Sequence, residues 1–239
     1  MQTLEEMAIS PAAISTRGMM LLGYQRTHFI SASSRTAWEA GDPAPLETEV
    51  GVRGSEIFRL TLDEVWKEYL PIRTALIAAG RQPKSVIDIG CGQALNDVLL
   101  VKDFAPKVTL IDIEETFAQY HSWNGFGSGY ASLNDAAAFL RDNGATDVTP
   151  INPRRDPAAI EGLSADLVTS LISCGFHYPI GDYLEIFLAT LEAGGAVILD
   201  IRKRYFKKPD EALRILMQRS RRIELESLEP KAMRLMFTA

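Results

Sequence analysis

The segment Ser85-Val-Ile-Asp-Ile-Gly-Cys-Gly-Gln-Ala94 ends an apolar run in a carboxylate and two glycines, and Val108-Thr-Leu-Ile-Asp112 ends a second apolar run in another carboxylate. Gly90 and Gly92 let backbone come close to a ligand. Asp112, 20 residues beyond Gly92, stands where the first β-α-β unit of a dinucleotide-type fold presents an acid to a ribose. A nicotinamide-dinucleotide fingerprint, G-x-G-x-x-G, needs a small third residue, but here that position is Leu95, which disfavours an NAD-dependent oxidoreductase. Asp88 lies two residues before the first glycine, where dinucleotide binders keep an apolar side chain. A carboxylate there suits a ligand that carries an amino group.

The spacing Asp88-x-Gly90-x-Gly92-x-Ala94 resembles the D/E-x-G-x-G-x-G motif of class I S-adenosylmethionine (SAM)-dependent methyltransferases, with Ala94 in place of the last glycine. The methyl of Ala94 is expected mainly to narrow the loop, because SAM has no pyrophosphate to seat on the helix N-terminus. The resemblance covers roughly residues 84–239. It implies an α/β fold: a Rossmann-like methyltransferase sandwich with a mostly parallel seven-stranded sheet, an antiparallel C-terminal strand and, here, a helical N-terminal extension. It also implies SAM as cofactor, with Asp88, Gly90, Cys91 and Gly92 around the methionine moiety, Asp112 at the ribose, Ile113 as a further cofactor contact, Asn152 near the adenine amino group, and Ser173 after the fourth strand facing the transferred methyl.

Ser173-Cys-Gly-Phe-His-Tyr-Pro179 holds the candidate for catalysis. Of three histidines, His177 alone lies at the mouth of the fourth strand, where a neutral imidazole can take a proton from an acceptor hydroxyl. Phe176 and Tyr178 are candidates for the acceptor pocket or its cover. A glycine- and aromatic-rich insertion, Tyr120-His-Ser-Trp-Asn-Gly-Phe-Gly-Ser-Gly-Tyr130, adds His121 and Trp123 as candidate substrate contacts. This insertion together with the Cys-Gly-Phe-His-Tyr-Pro segment also resembles bacterial proteins grouped as predicted sugar O-methyltransferases. The expected activity is methyl transfer from SAM to a small-molecule hydroxyl, sugar-like acceptors being preferred. N-methylation is a variant of that reading, and a SAM-binding sensor or scaffold without transferase activity is its rival.

The elements that must position these residues alternate: strand 84–89, helix 94–104, strand 107–112, helices 114–121 and 132–142, strands 147–151 and 165–172, helix 182–192 and strand 195–201. Alternation of this kind predicts a parallel sheet. Pro209 opens a helix to about Arg219, and the period-two segments 221–226 and 232–237 predict a terminal hairpin. Residues 56–239 are expected to form the SAM-binding domain. Residues 1–55 lie outside the sheet pattern as an extension that reads as a lid, a packing arm or a homodimer contact, with Glu39–Pro45 as loop. Helical spacing runs from Ser55 to Ala79, with Pro71 expected to divide or kink it.

Composition narrows the partners. With 46% hydrophobic residues in 239, the chain can bury a sizeable core. A net charge of −6 and a pI near 5.2 disfavour nucleic acid as a partner. The one dense basic run, Arg202-Lys-Arg-Tyr-Phe-Lys-Lys208, reads as a solvated loop or a contact for an anionic acceptor; Arg154 and Arg155 carry the same ambiguity. Cys91 and Cys174 lack metal-ligand or disulfide spacing, so no metal is expected. No apolar run suits a membrane span or a signal peptide, and a cytoplasmic location is expected.

Overall fold

The computed structural model describes residues 2–114 and 132–239. Its centre is a seven-stranded sheet of order β3-β2-β1-β4-β5-β7-β6. The strands are β1 (Ser85–Ile89), β2 (Lys107–Ile111), β3 (Val148–Ile151), β4 (Leu167–Ser170), β5 (Ala196–Arg202), β6 (Arg221–Leu225) and β7 (Ala232–Thr238). The first five pair in parallel, whereas β7 runs antiparallel to both β5 and β6. This is the Rossmann-like methyltransferase sandwich, with the last strand reversed. The order turns back at β1, which pairs with β2 on one side and β4 on the other, and such a switch point opens a crevice at the carboxyl ends of the strands.

Both faces of the sheet are covered, so the central strands read as apolar runs with few breaks. On one face Val86, Val108, Leu110 and Leu167 pack against N-terminal helices; on the other Ile87, Ile89, Val168 and Leu199 pack against the C-terminal ones. Side chains alternate along a strand, so Asp88 shares the face of Val86 and looks toward the N-terminal helices.

Those helices are α1 (Thr16–Gln25), α2 (Ala32–Glu39) and α3 (Ala44–Ala78), followed by α4 (Leu95–Phe104) and α5 (Leu133–Asp142). The other face carries α6 (Leu184–Glu192), α7 (Lys203–Lys207) and α8 (Glu211–Gln218). Ser15 and Ser31 cap α1 and α2 by accepting from Gly18 N and Ser34 N, which meets backbone donors that a helix start leaves unpaired. The long helix differs from expectation at its start and is not divided at Pro71. It begins at Ala44, inside the segment expected to be a loop, because Pro43 falls at its N-cap, where a missing N–H costs little. It also runs on through Pro71: Tyr69 and Ile72 are fully buried on either side, and that packing holds the two halves in one helix. As a single element, α3 crosses residue 55 without a break.

Tyr69 Oη donates to Asp103 Oδ2 at 2.6 Å and Arg73 Nη2 pairs with Asp103 Oδ1 at 2.7 Å, which ties α3 to α4. The basic run is not a loop, since Lys203–Lys207 form α7 with Tyr205 buried. Strand β4 is shorter than expected, 167–170, because Ile172 leaves extended geometry with φ +50°. The expected helix 114–121 lies almost wholly outside the described residues.

Candidate active site

A cavity of about 200 Å³ opens at the switch point. It is lined from the sheet side by Asp88, Gly90, Cys91, Gly92, Asp112, Ser173, His177 and Tyr178, and from the helical side by residues of α1, α3 and α4. Sequence positions far apart are therefore gathered at one place.

The glycine loop must bend sharply between β1 and α4, and the backbone shows it. Gly90 and Gly92 have φ of +78° and +56°. Besides that conformational demand, a Cβ on Gly90 would overlap Ser173 Oγ, and one on Gly92 would meet Gln25 Nε2 at 2.8 Å. Ala94 also sits in the left-handed region, at φ +57°. It does more than narrow the loop, because an L-residue there costs roughly 1–2 kcal/mol that glycine would not. Ile172 is a stronger outlier, since a branched side chain rarely tolerates φ +50°. Its N–H donates to Asp200 Oδ2 at 3.2 Å, and this contact holds the turn from which Ser173 and His177 project.

Asp88 is buried and accepts from Thr169 Oγ1 at 2.6 Å, across the register that sets Asp88 opposite Thr169. Asp112 accepts from Gly92 N at 3.1 Å and from Glu114 N at 2.9 Å, so the second carboxylate is fastened to the glycine loop itself. Burial raises Asp88 and Asp112 to about 6, well above the ordinary carboxylate value. Asp97, on the first turn of α4, is fully buried; desolvation first and the Asp88 charge second push it well above the ordinary carboxylate range.

These shifts give a pH dependence with a definite sign. Asp88 and Asp112 bind protons more tightly in the folded chain than in the unfolded one. Their contribution to stability is therefore complete below the unfolded value near 4 and is lost as pH rises through about 6. A ligand that binds the ionised carboxylates gains affinity over that same interval. The thermal shift induced by S-adenosylhomocysteine is expected to be small at about pH 5 and several-fold larger at about pH 7. Scanning fluorimetry with and without ligand checks this; equal shifts at both pH values would mean that neither carboxylate meets the ligand.

The remaining predicted residues divide. Tyr178 lines the cavity, with its hydroxyl 3.1 Å from Ser173 Oγ, and its burial keeps the phenol protonated. His177 lines it too, its backbone N–H bonded to Ser173 O at 2.8 Å and its ring edge-on to Phe176 at 4.9 Å. Cys91 borders the cavity as a buried thiol whose burial raises its pKa. Phe176 is not among the lining residues and packs beneath the Arg202 guanidinium at 5.2 Å. Neither Ile113 nor Asn152 lines the cavity: Asn152 Nδ2 donates to Ile113 O at 3.3 Å and to Glu114 Oε2 at 2.9 Å, while its oxygen accepts from Arg154 N. Arg155 pairs with Glu114 at 3.0 Å. His121 and Trp123 lie outside the described residues.

Sequence reasoning missed the helical wall. Gln25, Arg26, Thr61, Glu68 and Asn96 all border the cavity. Arg26 directly follows α1 and pairs with Glu64 at 3.1 Å and Glu68 at 2.8 Å of α3. No motif marks these residues. The one available hint was the polar pair Gln25-Arg26 following the run Gly18-Met-Met-Leu-Leu-Gly-Tyr24.

No protein-family model matches the chain, and no curated protein matches its sequence. Among solved structures, ribosomal protein L11 methylase from Lactobacillus delbrueckii subsp. bulgaricus is 17% identical over 75% of this chain and 77% of that one, with a TM-score of 0.48. A mutant of MtNAS in complex with S-adenosylmethionine is 17% identical over 92% of this chain and 72% of that one, also at 0.48. The bifunctional kinase-methyltransferase WbdD is 18% identical over 74% of this chain at a TM-score of 0.44, and the match spans only 38% of the WbdD chain. Strand order, rather than these distant likenesses, assigns the fold. No helix among the described residues is long and apolar enough to cross a membrane, and no group of histidine, cysteine and acidic residues among them is placed to hold a metal ion.

Proposed function

We propose that this protein is a class I SAM-dependent methyltransferase that methylates a hydroxyl group of a small, sugar-like molecule. The observation that carries the reading is the convergence of Asp88, the Gly90–Gly92 backbone, Asp112 and His177 on one cavity at the switch point. The residues present suit the cofactor. The glycine backbone offers a cradle that a Cβ at either position would fill, and two buried carboxylates stand ready for an ammonium group and for ribose hydroxyls. Bound there, SAM would supply an electrophilic methyl group.

The chain's own residues do the rest. Asp88, aligned by Thr169, and the glycine backbone hold the amino-acid end, while Asp112 accepts from the ribose. Asn152 remains our reading for the adenine end, reached by exchange of its present contact with Glu114. His177 takes the proton of the acceptor hydroxyl, and Tyr178, neutral and hydrogen-bonded to Ser173, forms a wall of the pocket. Orientation supplies much of the catalysis, since alignment of two reactants makes a bimolecular displacement nearly unimolecular. A small acceptor is favoured because the N-terminal helices enclose the cavity and the net charge of −6 repels polyanions. Two free, buried cysteines fit a reducing cytoplasm.

Calorimetric titration with S-adenosylhomocysteine, with NAD as control, followed by transfer of labelled methyl to a panel of sugars, nucleotide sugars, phenols and amines, tests the reading. Micromolar binding of S-adenosylhomocysteine without NAD binding is expected, with a hydroxyl compound as best acceptor. His177→Ala should lower kcat by about 10²–10⁴-fold while leaving cofactor binding within a few-fold. Unchanged turnover would remove His177 from the mechanism. Tight cofactor binding with no acceptor methylated would favour a SAM-binding sensor or scaffold.

A further inference from the structure

The cavity lining is electrostatically lopsided. Asp88, Asp112 and Glu68 are acidic, and Arg26 is the one lysine or arginine among the described lining residues. It comes from the N-terminal extension, outside the motif-bearing sheet. Glu64 and Glu68 each engage one of its terminal nitrogens, at 3.1 and 2.8 Å, and His28 Nε2 braces Glu64 at 2.8 Å. A guanidinium has five donors, so these contacts fix its place without exhausting it.

Two further features border the same cavity. Asn96, on the first turn of α4, has both its amide nitrogen and its amide oxygen shut off from solvent with no hydrogen-bond partner. Such an amide is costly to keep unless something else satisfies it. Gln25, next to Arg26, brings its side-chain amide so close to Gly92 that a Cβ there would lie 2.8 Å from Nε2. A cation, an unsatisfied amide and a second amide thus border the cavity into which Asp88 already faces.

We infer that Arg26 of the N-terminal extension, aided by Gln25 and Asn96, binds the α-carboxylate of the cofactor's methionine moiety. This rests on the SAM reading above. The amino acid end of that cofactor is a zwitterion, with an ammonium group that Asp88 suits and a carboxylate that the sheet side leaves without a counter-charge. A carboxylate takes a planar fork of N–H donors, which arginine supplies and lysine does not. Glu64 and Glu68 keep Arg26 at the cavity wall. The Asn96 amide nitrogen gives the remaining carboxylate oxygen a donor.

The test varies ligand and residue together. Calorimetry of the full chain compares S-adenosylhomocysteine with its decarboxylated analogue, for the wild type, Arg26→Met, Arg26→Lys and Asn96→Leu. The wild type should prefer the carboxylate-bearing ligand by about 10–100-fold, as expected for charge-assisted hydrogen bonds. Arg26→Met should lose that preference while binding the decarboxylated analogue as the wild type does, which also shows that it has folded. Arg26→Lys should keep part of the preference and Asn96→Leu should reduce it. No preference in the wild type, or equal weakening of both ligands in Arg26→Met, would overturn the inference and leave Arg26 as a tether between α1 and α3. A wild type that binds neither ligand would instead defeat the SAM reading, and this inference with it.

Discussion

Arg234→Met is expected to destabilise the protein by about 3–5 kcal/mol, because it leaves the Asp200 carboxylate buried without its counter-ion. Arg234 and Asp200 are 1% and 0% exposed. Their contact is a two-pronged fork: Nε donates to Oδ1 at 2.8 Å and Nη2 to Oδ2 at 2.7 Å. The third prong, Nη1, donates to the carbonyl of Glu68 at 2.6 Å, so one side chain on β7 reaches β5 and α3 together. Asp200 in turn accepts from the N–H of Ile172. Loss of Arg234 therefore releases the strained turn beneath Ser173 and His177 as well as the helix that carries Glu68. For a chain of this length the loss corresponds to a fall of roughly 6–20 °C in Tm. Urea denaturation measures the energy directly. A loss below about 1 kcal/mol would mean that water reaches the pair, as at exposed ion pairs. Replacing both partners, Arg234→Met with Asp200→Leu, should recover much of the stability, since an apolar pair avoids the desolvation cost. It should not recover turnover, because the N–H of Ile172 then has no acceptor.

On the proposed pose, Asp112→Ala should weaken S-adenosylhomocysteine binding by about 2–4 kcal/mol, or roughly 30- to 1000-fold, with water making good part of the two charge-assisted hydrogen bonds that the pose gives to ribose. The structure adds a second part to this loss. Asp112 is fastened to Gly92 N and Glu114 N, so its removal also frees the glycine loop. Asp112→Asn separates the two effects. An amide oxygen still accepts one of those backbone bonds, while the negative charge that strengthens the ribose contacts is gone. Asn should therefore bind more tightly than Ala but less tightly than the wild type. Calorimetry at neutral pH reads both variants, and full affinity in Asp112→Ala would place the ribose elsewhere and defeat the proposed pose.

Much of the sheet was legible because its signals are short-ranged. An apolar run ending in Asp88-Ile-Gly-Cys-Gly states its strand and its turn within a few residues, and Asp112 closes the next strand the same way. The terminal hairpin was legible by its period-two pattern, and it forms β6 and β7 in antiparallel register. Less legible were the bounds of α3: punctuation by Asp42-Pro43-Ala44-Pro45 reads as a loop, yet a proline at a helix start costs little, and burial around Pro71 outweighs one missing backbone bond. Asn152 was placed by its position at a strand end, but where its amide points depends on Ile113, Glu114 and Arg154 together.

By itself, then, the sequence determined the layered α/β sandwich, the glycine loop and the two carboxylates at strand ends, because each is set by residues adjacent in the chain. Only the tertiary structure decided what closes the cavity. Arg26 meets Glu68 across 42 positions, Thr169 meets Asp88 across 81 and Arg234 meets Glu68 across 166. Pairings at such separations leave no local period or spacing to read. The same holds for the high proton affinity of Asp88, Asp97 and Asp112, which follows from exclusion of water by elements distant in sequence and so exists only once the chain has folded.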